Sequence, residues 1–124
     1  MFESTDFSDL LGIQYVEGRA DCYGLVREYY RSRFGLTLTN YARPSHFWRH
    51  GMDLLGQNLS SEGFRPIRGA ERMSMGDAVL ITIKSNIPNH VGVYVGGGRF
   101  LHHLYGRLSE LTEWTPQWQN RCLL

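Results

Sequence analysis

Asp21-Cys22-Tyr23-Gly24-Leu25-Val26-Arg27-Glu28-Tyr29-Tyr30-Arg31-Ser32-Arg33-Phe34-Gly35 is the stretch whose reading decides the fold. Leu25, Val26, Tyr29, Tyr30 and Phe34 recur at the i, i+3, i+4 spacing of one helix face. The run therefore predicts an amphipathic helix from Cys22 to about Phe34. Arg27, Arg31 and Arg33 fall largely off the apolar face. Asp21 stands where a side chain can accept an N–H group that the first turn leaves unpaired. Gly35 stands where the chain can leave the helix in a left-handed conformation.

Outward from this helix the rhythm changes. Residues 78–83 (AVLITI), 90–95 (HVGVYV) and 99–104 (RFLHHL) read as strands, and 106–111 as a fourth. Gly76-Asp77 makes a turn into the first, with the Asp77 side chain bonding nearby N–H groups. Gly96-Gly97-Gly98 makes a tight turn between the second and third. On the other side, residues 6–13 form a short helix or turn. Pro44-Ser45 opens a second helix carrying Phe47, Trp48, Met52, Leu55 and Leu59, followed by a loop at 60–63 and a short strand at 64–67. Residues 114–118 form a short irregular or helical piece, and 121–124 end on a strand. Helices come first and strands later, which predicts an α+β fold with an antiparallel sheet. The 124 residues suit one domain, residues 1–124.

Several function classes are excluded by composition. Thirteen basic residues face twelve acidic ones with no block of like charge, so a nucleic-acid partner is not expected. Two cysteines, Cys22 and Cys122, cannot build a disulfide framework, although one bridge between them is open to the chain. The N-terminal residues carry neither a basic stretch nor an apolar run, so no signal peptide is read and synthesis in the cytoplasm is expected. No apolar run reaches the ~18 residues of a membrane span. The glycines at 96–98 precede a strand rather than a helix, which makes them a hairpin turn and not a phosphate loop. Cys22, His90 and one of His102 and His103 form at most a weak zinc set, because no close ligand pair accompanies them. His46 and His50, four apart with no acidic residue between, read as ordinary residues on one helix face. No metal or other cofactor is expected.

Chemistry concentrates at Cys22. A thiol attacks as thiolate, and a helix start lowers its pKa through partial positive charge and unpaired N–H groups. The same N–H groups can hold an oxyanion. Position alone also fits a small buried hydrophobe. His90 tips the balance, because a nucleophilic thiol needs an imidazole base and that base needs a third group to orient it. His102 and His103 are the candidates. Neighbours on a strand point to opposite faces, so only one of them can serve. Glu110, Asp77 and the arginines are weaker catalytic candidates. Arg27 either lies on a solvated helix face or binds a substrate carboxylate.

Three ordered runs carry a resemblance: 21–26 (DCYGLV), 76–80 (GDAVL) and 90–102 (HVGVYVGGGRFLH). Together they resemble the NlpC-type (p-sixty) cell-wall cysteine peptidases. The resemblance implies a papain-like α+β fold and hydrolysis of peptide or amide bonds in bacterial peptidoglycan peptides. It matches Cys22 to the nucleophile, His90 to the base and His102 to the orienting residue. It matches Tyr15, with Tyr23, to the oxyanion or substrate-binding side. Tyr23, Arg27 and the segment 98–102 look most like the short stand-alone versions of tailed-phage tails. That implies tail-tip proteins as partners and a place in the virion tail, acting at the cell wall. Glu17, where many members carry an aromatic, Met75 in place of a frequent proline, and the unaligned residues 36–67 depart from the pattern. Two other functions fit the same residues: a silent structural or plug component of a tail, and another thiol acyl-transfer enzyme. The presence of all three polar residues favours the peptidase.

Hairpin parity chooses between the two histidines. If Gly96, Gly97 and Gly98 are the three loop residues, Val95 pairs with Arg99, Tyr94 with Phe100 and Gly92 with His102. His90 and His102 then share a face as diagonal neighbours. A two-residue loop would put His103 there instead. Three glycines suit a three-residue turn with positive φ, and the resemblance also points to His102.

Overall fold

Asp21 starts the helix as its spacing predicts. Its carboxylate accepts the Gly24 N–H at 2.8 Å, and the helix α1 runs Cys22–Phe34. Gly35, at φ 66°, ends it in the left-handed region with its N–H on the Tyr30 and Arg31 carbonyls. Tyr23, Leu25, Val26, Tyr29 and Tyr30 are buried. The computed structural model describes residues 6–67 and 73–122. Among these residues no helix is long and apolar enough to cross a membrane.

Four antiparallel strands follow in sequence order, β1 (Ala78–Ile81), β2 (His90–Tyr94), β3 (Arg99–His102) and β4 (Glu110–Glu113). The architecture is α+β, with α1 packed mainly against β2. The hairpin register is the three-residue one: Tyr94 opposes Phe100 and Gly92 opposes His102. All three loop glycines have positive φ, between 62° and 85°. Asp77 shapes the turn before β1 by accepting the Ser74 N–H at 2.8 Å.

Several elements differ from the sequence expectation, each for a local reason. The first strand stops at Ile81, because the Ile83 N–H is taken by Asn89 Oδ1 at 2.8 Å. The fourth strand starts at Glu110 rather than 106. Ser109 instead pairs with the N-terminal segment, through Gly12 N–H to the Ser109 carbonyl and Ser109 N–H to the Ile13 carbonyl. The expected second helix is broken by Gly51 at φ 75° into a 3-10 turn, Phe47–His50, and a helix α2, Leu54–Ser61. His46 precedes the turn in a left-handed conformation, so His46 and His50 do not share a helix face. Residues 64–67 form no strand. At the C-terminus a short helix α3, Pro116–Gln119, is followed by a single bridge between Cys122 and Ile81. Residues 123 and 124 of the expected last strand lie outside the described residues.

The register sorts the sheet into two faces. Val91, Val93 and Leu101 face α1 and join Tyr23, Leu25, Val26 and Tyr29 in the larger core. Val79, Ile81 and Phe100 face the other way, under Trp114, Trp118 and Cys122. By the same parity His90, Gly92, His102, Glu110 and Thr112 lie on this second face.

Candidate active site

Cys22 is the first residue of α1 and is half-buried. It is not joined to Cys122 by a disulfide. The start of its helix is held firmly. Asp21 accepts N–H groups from both Gly24 and Gly18 and pairs with Arg43 at 2.7 Å, with both side chains almost wholly buried. Arg43 also reaches the Asn40 side chain and the Tyr41 and Gly18 carbonyls, and lies over the Tyr23 ring. Gly24 is required here, since a Cβ at that position would sit 2.1 Å from the Arg19 carbonyl oxygen.

His90 opens β2 and is 3% exposed. The loop before it is clamped by Asn89, whose amide accepts the Ile83 N–H and donates to the Ile83 carbonyl. Its Nε2 lies 2.8 Å from Nδ1 of His102. Gly92 makes that approach possible: a Cβ there would meet the Leu101 carbonyl at 2.7 Å and the His102 Cβ at 3.0 Å. His102 in turn places Nε2 2.8 Å from Thr112 Oγ1, and the Thr112 hydroxyl donates to Glu110 Oε2 at 2.6 Å. Phe100 stacks on His102, and Trp118 meets both imidazoles edgewise or tilted. His103 points away, its Nε2 on the Arg107 carbonyl at 2.8 Å and its ring against Tyr15.

Cys22, His90 and Tyr15 line one cleft of about 750 Å³. Its further walls come from Arg43 to Arg49, from Ile83 to Ser85, and from His103 to Tyr105 with Arg107. Tyr23 does not reach it. That ring is 1% exposed and its hydroxyl donates to the Thr39 carbonyl at 2.7 Å, so it serves the core and not the cleft. Arg27 does not line the cleft; it is half-buried on its helix and donates to the Leu38 carbonyl at 3.0 Å.

The electrostatics correct one expectation. Burial pushes the Cys22 thiol up to about 12, and the adjacent Asp21 charge adds to the rise. The N–H groups of Val91 and Tyr23 and the Arg43 guanidinium oppose it without prevailing. Burial holds His90 and His102 well below the ordinary imidazole range. The helix start therefore does not leave a thiolate at neutral pH. The resting pair is a thiol and a neutral imidazole, because desolvation outweighs the partial charge of one helix terminus. Burial, then the nearby Cys22, also raises the Tyr15 phenol, which stays an O–H donor.

Arg43, Trp118, Thr112 and the walls from 43–49 were not read from the sequence. Residues 36–67 carry no aligned motif, and a β4 placed at 106–111 leaves Thr112 off the sheet.

Comparison with known proteins agrees with this architecture. Tail tip assembly protein K of Escherichia phage lambda is 34% identical over 114 residues, covering 90% of this chain and 55% of that protein. Tail tip assembly protein K of Escherichia phage N15 is 34% identical over 116 residues, covering 92% of this chain and 47% of that protein. The chain thus spans about half the length of these relatives. The crystal structure of the NlpC/p60 domain of the peptidoglycan hydrolase SagA superposes with a TM-score of 0.55 at 18% identity, over 86% of this chain and 81% of that one, a likeness of fold. The model of the NlpC/P60 family matches residues 12–124, and the chain belongs to that family.

Proposed function

We propose that the protein is a cysteine peptidase that hydrolyses amide bonds in the stem peptides of bacterial peptidoglycan, as part of a phage tail or tail-like particle. The observation that carries this is the placement of Cys22, at a helix start, in the same cleft as His90, whose ring is held by His102 at 2.8 Å. In the first step Cys22 Sγ attacks the scissile carbonyl carbon while its proton passes to His90 Nδ1. The carbonyl π electrons move to oxygen. The N–H groups at the start of α1 and the Tyr15 hydroxyl stabilise that oxyanion. The oxyanion then collapses, the C–N bond breaks, and the leaving nitrogen takes the proton from His90. A thioester remains on Cys22. Water attacks it with His90 again as base, the C–S bond breaks, and carboxylate and thiol are regenerated.

The cleft rim carries Arg49, Lys84 and Arg107 against Glu17, with Asp21 already paired to Arg43. A cationic rim suits a peptide rich in carboxylates, as stem peptides are. The printed names of the two phage relatives support placement at a tail tip and also favour a second reading, a role in assembly without turnover. Incubation of the purified protein with muropeptides, with products identified by mass spectrometry, separates the readings. A new amine and a new carboxylate from one stem-peptide bond support the peptidase. Intact muropeptides at high enzyme concentration favour the assembly role. Products of amide exchange point to a transferase.

A further inference from the structure

We infer that Thr112 and Glu110 are positioning residues that fix which nitrogens of the histidine pair carry protons, so that His90 offers a bare Nδ1 to Cys22. The inference rests on Cys22 and His90 being nucleophile and base. It follows from counting hydrogens along one chain of contacts. A threonine hydroxyl has one hydrogen, and that of Thr112 is donated to Glu110 Oε2 at 2.6 Å. Towards His102 Nε2, 2.8 Å away, Thr112 Oγ1 can then act only as acceptor. His102 must carry its hydrogen on Nε2. A neutral imidazole has one N–H, so His102 Nδ1 is an acceptor. The 2.8 Å contact to His90 then requires the hydrogen on His90 Nε2. His90 is left with its lone pair on Nδ1.

Burial keeps both rings neutral at rest, as the count requires. When the thiol proton reaches Nδ1, His90 becomes an imidazolium. Its positive charge is met by a line of aligned dipoles ending on the Glu110 carboxylate, whose Oε2 is also 3.5 Å from His102 Nε2. The sheet builds this line directly. Glu110 opposes His102 across β3 and β4, and Thr112, two residues on, keeps the same face. Neither Thr112 nor Glu110 lines the cleft that holds Cys22, so both act through His102 and not on substrate.

The test is ¹⁵N NMR of the histidine side chains in the intact protein, combined with muropeptide kinetics. The wild type is expected to show His90 and His102 both as Nε2–H tautomers at pH 7. The double variant Thr112→Val with Glu110→Ala, which removes both acceptors, should show mixed tautomers at His102. Its kcat should fall by on the order of tenfold or more, with KM nearly unchanged. Thr112→Ser alone, with Glu110 in place, should keep the wild-type tautomer pattern and turnover. A wild-type His102 protonated on Nδ1 overturns the inference, as does a double variant that keeps both tautomers and kcat. The wild-type spectrum decides the matter even if the double variant fails to fold. It also decides it if muropeptides are not cleaved, an outcome that counts against the peptidase reading alone.

Discussion

Nε2 of His90 meets Nδ1 of His102 at 2.8 Å because His102 sits opposite Gly92, two residues along β2 from His90, which makes the two histidines diagonal neighbours on one face. His103, the next residue, is turned to the other side and holds the Arg107 carbonyl. His102→Ala should therefore lower turnover by about a hundredfold or more, since the His90 ring loses its orienting partner. His103→Ala should mainly cost stability. Steady-state kinetics on muropeptides, with thermal unfolding of both variants, checks the order. A larger loss of turnover from His103→Ala reverses the assignment.

Gly92→Ala forces a Cβ to within 2.7 Å of a backbone oxygen, which only a shift of β3 can relieve. The expected cost is about 1–3 kcal/mol, read from denaturant unfolding. Widening the strand pair also moves His102 from His90, so kcat should fall further than the fraction unfolded explains. Wild-type stability and kcat in this variant would contradict the close approach.

Reactivity of Cys22 towards iodoacetamide should climb with pH. A thiol whose pKa is raised to about 12 is protonated at neutral pH, so its thiolate fraction grows about tenfold per pH unit between pH 7 and 10. The labelling rate of Cys22, followed by peptide mass spectrometry, should rise over that range without levelling. A plateau reached below pH 6 would indicate a preformed thiolate–imidazolium pair and contradict the neutral resting state.

Removing Arg43 leaves the Asp21 carboxylate buried and unpaired beside the nucleophile. Their side chains are only 4% and 6% exposed, so Arg43→Ala should destabilise the fold by roughly 3–5 kcal/mol. Arg43 also opposes the rise in the Cys22 pKa, so the variant's thiol should label still more slowly at a given pH. Chemical denaturation and the same labelling assay check both effects.

What the sequence disclosed was local. Asp21, the 25/26/29/30/34 spacing and Gly35 define α1 through capping and periodicity, which act within one turn of chain. The three glycines at 96–98 set the hairpin register and with it the pairing of Gly92 and His102. What it concealed depends on segments distant in sequence. Arg43 reaches Asp21 across 22 residues from a stretch without regular structure. Ser109 pairs with residues 12 and 13, which delays β4 and brings Glu110 and Thr112 beside His102. Trp118 closes over the histidines from a four-residue helix. The thiol's ionisation is illegible in the sequence for the same reason: the helix terminus is visible there, whereas the burial that outweighs it is not.

The most direct measurement compares muropeptide cleavage by the wild type, Cys22→Ala and Cys122→Ala, with products quantified by mass spectrometry and folding verified for each. Wild type and Cys122→Ala should release the same stem-peptide fragments, and Cys22→Ala should release none while unfolding at a similar temperature. Fragment release by Cys22→Ala at a rate comparable to wild type would show that Cys22 is not the nucleophile.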